Sequence, residues 1–221
     1  YMLRAIVNHY IKFGDDLKLI EYIDNSEVKP NKKLLDAIDK MIQDKKEYTL
    51  LDEQKVIAEA IKWEAKQAFT NNQKSVVIVS GGPGTGKSVL AINLLGELLK
   101  LGLMGAYVSK NMAPRKVYKN SLVYNNEVSI HELFKSSGYF FRDQENKYDF
   151  LLVDEAHRLQ EKSGVHYNIG ENQIKEIIHA SKLTVFFVDE AQMVTLKDIG
   201  TISNIKCFAK LAHAKILEYE L

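Results

Sequence analysis

At 221 residues the chain has the length of one α/β domain with, at most, a small additional segment. Its net charge of +1 excludes attraction of nucleic acid by overall charge, so such a partner would need a local basic patch. The single cysteine, Cys207, excludes an intrachain disulfide and a cysteine-rich zinc site. Because no apolar run is long enough to span a bilayer, we expect a cytoplasmic protein without a membrane partner.

The sequence predicts a small N-terminal helical segment at residues 1–47 and a main domain at residues 48–221. Apolar residues recur at helical spacing in two short stretches, on either side of a break at Pro30. The segment shows no catalytic pattern, and His9 is interpreted as structural. We expect these helices to pack on the edge of the main domain.

The first helix of the main domain is predicted from Leu51 to about Phe69, with Asp52 as its N-cap. Gln54 lies at the start of this helix. Its amide could donate to and accept from the edge of an adenine ring in a bidentate pair. Judged only from its position in the predicted helix, Gln54 would be a solvent-exposed surface residue. Both interpretations are open from the sequence.

Residues Val76–Leu90, VVIVSGGPGTGKSVL, predict a buried strand, a glycine-rich turn and the start of a helix. Gly81, Gly86, Lys87 and Ser88 match the spacing of a phosphate-binding loop. Backbone N–H groups can surround a triphosphate where side chains are small and positive φ is allowed, and the helix dipole adds to the attraction. Lys87 supplies a charge for the outer phosphates, and Ser88 a hydroxyl ligand for Mg²⁺. The pattern favours a nucleotide-binding protein over a glycine-rich turn without a ligand.

A second core strand is predicted at Ala106–Val108, after the helix behind the loop. Polar residues follow at its carboxyl end, where parallel sheets bind ligands: Ser109, Lys110 and Asn111. The segment 110–126 has several basic residues, among them Arg115, with tyrosines between them and no acidic residue. It could follow a phosphate backbone and stack bases. A helix with a solvated basic face fits the same pattern.

Two later aliphatic strands are each followed by acidic residues. Asp154 and Glu155 come directly after the strand at 149–153, and we predict that Asp154 holds Mg²⁺ while Glu155 orients and deprotonates the attacking water. The strand at 183–188 leads to Asp189, Glu190 and then Gln192, whose amide could reach the γ-phosphate. His157 could couple the nucleotide site to its neighbours or simply fill space.

The remaining segments complete an α/β pattern. Residues 129–132 predict a helix start with a capping box, residues 136–147 and 158–173 predict loops, and residues 173–181 predict a helix. The segment 207–221 predicts a helix or a strand. Alternation of helices with aliphatic strands that lack a polar face indicates a parallel sheet covered by helices on both sides.

The motifs occur in the order of the first lobe of superfamily-one helicases. More closely, the stretches GGPGTGKSVLAINLL, VSKNMAPRKVY, DEAHRLQEKSG and FFVDEAQ resemble the Schlafen-type family of helicase-like ATPases, from about Leu50 to the C-terminus. Small-molecule kinases seldom carry Asp-Glu-Ala-His at a strand end. One departure is Val188, which stands where the family has a glycine before its Asp-x-x-Gln.

The resemblance implies a P-loop ATPase with a RecA-like sheet that uses ATP and Mg²⁺. It places catalytic roles at Lys87, Asp154, Glu155 and Gln192, and metal ligation at Ser88 and Asp154. The implied nucleotide contacts are Gln54, Gly81, Gly82, Pro83, Gly84, Thr85, Gly86, Lys87, Ser88 and Val89. Together with the basic segment, it places contacts to single-stranded DNA or RNA at Ser109, Lys110, Asn111, Arg115 and His131.

Enzymes of this type hydrolyse ATP between two RecA-like lobes, the second of which contributes arginines. We expect the chain to be a fragment that lacks this second lobe, binds ATP or ADP, and turns over slowly. The leading hypothesis is a motor ATPase lobe acting on DNA or RNA. The alternative is an ATP-gated switch coupled to an effector domain without translocation. A small-molecule phosphotransferase would need an acceptor pocket that the sequence does not show.

Overall fold

A computed structural model describes residues 35, 36, 38, 49–110, 133–163, 169–193, 195 and 197–221. The main α-helices are α1 (Asp52–Asn71), α2 (Lys87–Lys100), α3 (Gln173–Ala180) and α4 (Ile202–Leu211). The strands are β1 (Ser75–Ser80), β2 (Gly105–Ser109), β3 (Phe134–Lys135), β4 (Tyr148–Asp154), β5 (Ser181–Val188) and β6 (Lys215–Glu220). Short 3-10 helices lie at Ser137–Arg142, Ala156–Arg158 and Glu190–Gln192.

The six strands form one sheet in the order β3-β2-β4-β5-β1-β6. Every neighbouring pair is parallel. Strand β1, which leads into the glycine-rich loop, is separated from β4, which ends at Asp154, by the single strand β5. Because parallel strands end at one edge of the sheet, the ends of β1, β5 and β4 lie side by side.

Helices cover both faces of the sheet. One apolar core joins α1 and α2 to the side of the sheet that includes Val77, Leu152 and Val185. A second core joins α3 and α4 to the opposite side, including Val76, Leu151 and Phe186. Alternate residues of the central strands β1, β4 and β5 therefore enter different cores, which explains why these strands lack a polar face. The predicted α/β, RecA-like fold class is confirmed.

Helix ends differ partly from the sequence-based expectation. The N-cap of α1 is Leu51, not Asp52, and the Leu51 N–H donates to Gln54 Oε1 at 2.9 Å. Helix α3 begins after Asn172, whose Oδ1 accepts from the Ile174 N–H at 2.9 Å, and α4 begins after Thr201. The capping glutamine was missed because Asp52 is the residue type that caps more often.

Two segments fold differently from the prediction. Residues 136–147, where a loop was expected, contain the 3-10 helix at Ser137–Arg142. The short strand β3 at Phe134–Lys135 follows closely after the predicted helix start at 129–132. The C-terminal segment, open between helix and strand, contains the end of α4 and the edge strand β6, which pairs with β1. Single-sequence patterns do not reveal such short or edge elements, because tertiary pairing stabilises them.

The predicted N-terminal segment lies largely outside the described residues, as does the predicted helix start at 129–132. Of its residues, Leu35, Asp36 and Ile38 are described, all in helical conformation. Ile38 is 1% exposed and belongs to the core of α1 and α2. In the described part of the chain, no helix has the length and apolar character needed to cross a bilayer.

Candidate functional site

The glycine-rich loop connects the end of β1 to the start of α2. Gly86 is the N-cap of α2 with φ of 88°, a left-handed conformation that glycine adopts without strain. A Cβ atom at this position would lie 2.3 Å from Gln54 Nε2, so the close approach of Gln54 also requires glycine. Pro83 and Gly84 are exposed at the tip, whereas Gly82, Thr85 and Val89 are partly buried.

Gln54 is 6% exposed, so the interpretation as a solvent-exposed surface residue is wrong. Its Nε2 donates to the Thr85 carbonyl oxygen at 2.8 Å, while its Oε1 accepts from the Leu51 N–H. One amide thus joins the first turn of α1 to the backbone of the glycine-rich loop. A contact with adenine stays a prediction.

The ammonium group of Lys87 is held by the loop itself. Nζ donates to the carbonyl oxygens of Gly81 and Gly82, at 2.7 Å and 2.6 Å, and lies 3.4 Å from Asp189 Oδ2. The side chain is 10% exposed, so its charge is directed into the loop and not into bulk solvent. A positive charge in this position is suited to attract phosphate oxygens.

Asp154 meets the loop at the first turn of α2. Ser88 Oγ donates to Asp154 Oδ2 at 2.8 Å, and the Tyr107 hydroxyl donates to the same oxygen. The carboxyl group is almost fully buried. Burial raises the pKa of Asp154, and the hydroxyl donors Tyr107 and Ser88 oppose that rise.

Glu155 follows with a backbone that is unusual for a residue with a side chain. Its φ of 54° and ψ of 41° are left-handed, a conformation that costs energy and clusters at functional sites. Its Oε2 lies 3.0 Å from Nε2 of His157, a nitrogen that makes no hydrogen bond of good geometry in the described part of the chain. The imidazole N–H beside it lowers the pKa of Glu155, against the effect of burial.

His157 has a defined orientation because both ring nitrogens face polar groups. Nδ1 accepts from the Asp189 N–H at 3.3 Å, so Nε2 carries the proton in the neutral ring and faces Glu155. The imidazole is 1% exposed. It therefore connects the end of β4 to the end of β5.

The end of β5 places Asp189 next to the loop, and Gln192 follows three residues later. Asp189 is 3% exposed, pairs with Lys87, and was not among the predicted site residues. Its sequence signal is the same as that of Asp154, an acid directly after a buried strand. Gln192 is partly buried in the 3-10 helix that follows, and its backbone N–H donates to the Asp189 carbonyl oxygen at 3.0 Å.

The predicted nucleic-acid contacts lie in a different setting. Ser109 is fully buried at the end of β2, a position that does not offer its hydroxyl to an outside chain. Lys110 Nζ lies 3.8 Å from the buried carboxylate of Asp198. Burial lowers the pKa of Lys110, and Asp198 opposes that change. Asn111, Arg115 and His131 lie outside the described residues.

The hydroxyl of Ser88 and the carboxylate of Asp154 are hard oxygen ligands that fit Mg²⁺. In the described residues, no group of three or more histidine, cysteine or acidic side chains could hold a metal ion by itself. Magnesium at nucleotide sites is bound through one or two protein ligands together with phosphates and water. The donor set fits magnesium that arrives with a nucleotide.

Comparison with known proteins identifies a family to which the chain is similar. The family model described as Schlafen group 3, DNA/RNA helicase domain, matches residues 74–221. A UPF0273 protein of Thermotoga maritima is 27% identical over 129 residues, which are 54% of this chain and 52% of that protein. A UPF0273 protein of Pyrococcus horikoshii is 37% identical over 60 residues, 27% of this chain and 24% of that protein. The chain thus spans about half or less of the length of these relatives.

Solved structures show weaker likeness. The Sulfolobus solfataricus SWI2/SNF2 ATPase core in complex with dsDNA has 12% identity and a TM-score of 0.44, over 78% of this chain and 44% of that one. AMPPCP-bound DnaA from Aquifex aeolicus has 14% identity and a TM-score of 0.40, over 88% of this chain and 52% of that one. Likenesses this weak carry no argument about function.

The family match covers the glycine-rich loop and the ends of β4 and β5, the three parts that the sheet brings together. This chain belongs to the Schlafen group 3 DNA/RNA helicase domain family, and it has a helicase-like P-loop ATPase fold.

Proposed function

We propose that the chain binds ATP with Mg²⁺ and hydrolyses it as the first RecA-like lobe of a helicase-like enzyme that acts on DNA or RNA. The observation that carries the proposal is the 2.8 Å hydrogen bond between Ser88 and Asp154. Ser88 lies in the first turn of α2 and Asp154 at the end of β4, 66 residues further along the chain. Their contact creates one place where a hydroxyl, a carboxylate and the Lys87 ammonium converge.

Each residue at this place has a role that its surroundings support. The loop amides and Lys87 would bind the phosphates, while Ser88 and Asp154 would hold Mg²⁺, which supplies positive charge to the phosphate oxygens. Glu155, kept ionised by His157, is suited to accept a proton from water. Gln192, beside Asp189, is proposed to sense the γ-phosphate.

A DNA or RNA partner is supported by the family and by the basic segment that starts at Lys110. Arg115, Asn111 and His131 are proposed contacts within or after that segment. Lys110 would exchange its ion pair with Asp198 for one with a phosphate. We also propose slow turnover for the chain by itself, because related enzymes obtain arginines from a second lobe.

Hydrolysis of ATP by the 221-residue chain tests the proposal, measured with Mg²⁺ or with EDTA. We expect slow hydrolysis that requires Mg²⁺ and that is lost in Lys87→Ala. Lys55→Ala is the matched control, since this lysine is exposed and forms an ion pair with Asp52 in the first turn of α1. Failure of the unaltered chain to bind ATP or ADP in the presence of Mg²⁺ would contradict the proposal.

The same assay separates the motor from the switch. Stimulation of hydrolysis by single-stranded DNA or RNA supports a motor lobe. Nucleotide binding without any stimulation, in a longer protein that contains the second lobe, would support an ATP-gated switch. Transfer of phosphate to an acceptor other than water would identify a phosphotransferase.

A further inference from the structure

A fully buried tyrosine lies behind the proposed magnesium ligand. Tyr107 is on β2, with 0% of its surface exposed, in the core that also includes Phe134 and Leu152. Its ring lies 5.6 Å from the ring of Phe134. In this apolar setting the hydroxyl donates to Asp154 Oδ2. The sequence patterns identify Tyr107 only as a strand residue.

The sheet register explains how the hydroxyl reaches the carboxylate. Ser109 on β2 is opposite Asp154 on β4, and Tyr107 is opposite Leu152. Residues two apart on a strand lie on the same face, so Tyr107 and Asp154 both face α2. The length of the phenol side chain spans the two-residue offset toward the carboxyl edge.

The energetics favour a specific role for this hydroxyl. A buried hydroxyl without a partner costs free energy, and a phenylalanine would fill the same core space without that requirement. The hydroxyl is directed at Oδ2, the oxygen that also accepts from Ser88. Ser88 faces the loop and is itself a proposed metal ligand, whereas Tyr107 approaches the carboxylate from the interior of the protein.

We propose that Tyr107 is a positioning residue that orients the Asp154 carboxylate for the magnesium ion of a bound nucleotide. It is not a catalytic residue, because it lies in the core and does not reach the loop. Partners of metal ligands commonly change metal affinity by about 10- to 100-fold when they are removed. This inference rests on the proposed nucleotide function.

The test is Tyr107→Phe in the full chain, with binding of fluorescent mant-ADP titrated in Mg²⁺ and in EDTA. We expect the Mg²⁺ affinity of the nucleotide-bound chain to fall by about 10-fold or more, with little change in mant-ADP affinity in EDTA. Tyr148→Phe is the matched control: Tyr148 is the first residue of β4, and its hydroxyl donates to Asp143 Oδ2 at 3.3 Å. The control is expected to bind as the unaltered chain does.

A double-variant cycle isolates the contact. In an Asp154→Asn background, Tyr107→Phe is expected to have no further effect on Mg²⁺ affinity. Unchanged Mg²⁺ affinity in a folded Tyr107→Phe chain would overturn the inference and leave the nucleotide proposal intact. Absence of mant-ADP binding in the unaltered chain would overturn both.

A second measurement does not depend on the folding of the variant. A 3-fluorotyrosine incorporated at position 107 keeps the hydroxyl and reports its surroundings through the fluorine resonance. We expect this resonance to shift when Mg²⁺ is added to the chain with bound ADP, and not when Mg²⁺ is added without nucleotide. A resonance that does not respond to Mg²⁺ and ADP together would contradict the inference.

Discussion

The carboxyl edge of the sheet contains two regions that look alike in sequence and differ in structure. At the ends of β1, β4 and β5, polar residues contact one another around the glycine-rich loop. At the end of β2, the polar residues are engaged with the protein interior, because Ser109 is buried and Lys110 faces Asp198. In the first region the polar groups converge on the glycine-rich loop, whereas in the described part of the second they are engaged away from it.

The difference shows which structural features a sequence pattern can predict and which it cannot. A phosphate-binding loop acts mainly through its own backbone, so its residues and spacing are enough to predict it. A basic segment indicates charge but not what neutralises the charge in the folded chain. Asp198 is 88 residues from Lys110 in the sequence numbering, and only folding brings them together.

The largest expected effect is at Glu155. Glu155→Gln removes the proposed general base but keeps its shape, so we expect kcat to fall by about 100- to 10,000-fold with mant-ADP affinity nearly unchanged. Glu161→Gln, at an exposed acid of the following segment, is the control. If Glu155→Gln hydrolysed ATP as fast as the unaltered chain, another residue would have to be the base. The first region would then not differ from the second in the way proposed.

A smaller effect is expected at Gly200, which packs against the turn that carries Glu155. A Cβ atom at this position would lie 1.7 Å from the carbonyl oxygen of Ala156 and 2.9 Å from the Cα atom of His157. We expect Gly200→Ala to lower the free energy of unfolding by about 1–3 kcal/mol, measured by urea denaturation. Gly82→Ala, where an added Cβ meets no atom within 4 Å, should leave this free energy unchanged. If both variants had the same free energy of unfolding, the close packing of Gly200 against the Ala156–His157 turn would be contradicted.

Removal of the Asp198 charge tests the second region directly. In Asp198→Asn, Lys110 loses its ion pair, while an amide oxygen can still accept the Thr195 N–H. We expect affinity for a single-stranded oligonucleotide to rise about fivefold, equivalent to about 1 kcal/mol. The salt dependence should steepen by about 0.7 for the added phosphate contact.

Fluorescence anisotropy at several salt concentrations measures both effects. Asp143→Asn is the control, because it removes an acid whose ion pair with Lys147 lies on another part of the surface. If Asp198→Asn changes neither affinity nor salt dependence for DNA and RNA, Lys110 is not a nucleic-acid contact.

The smallest expected effect is a shift in the pH dependence of hydrolysis. The neighbouring His157 lowers the pKa of Glu155, and a general base at this position would be active only when ionised, above that pKa. In His157→Asn the amide oxygen can accept the Asp189 N–H, but the donor to Glu155 is lost. The pKa of Glu155 should therefore rise, and the acidic limb of the pH–rate profile should move to higher pH. An unmoved or lower limb would show that His157 does not act on Glu155.

Much of the fold was predictable because its strands are apolar and its helices alternate with them. The positions of β1, β4 and β5 followed from aliphatic runs. Strand β3, with two residues, and the edge strand β6 gave no such run, since pairing with neighbours stabilises them. Gln54 was ambiguous for a related reason: helical periodicity says nothing about a loop 31 residues away that accepts its amide.

The sequence by itself determined the glycine-rich loop, the acids that follow buried strands and the alternation of strands and helices typical of a parallel α/β sheet, because each depends on residues close together in the chain. Only the tertiary structure decided that Tyr107 meets Asp154, that Asp189 meets Lys87, and that Lys110 meets Asp198. The first two contacts join residues 47 and 102 positions apart. Such contacts depend on strand order and register, which local patterns do not contain.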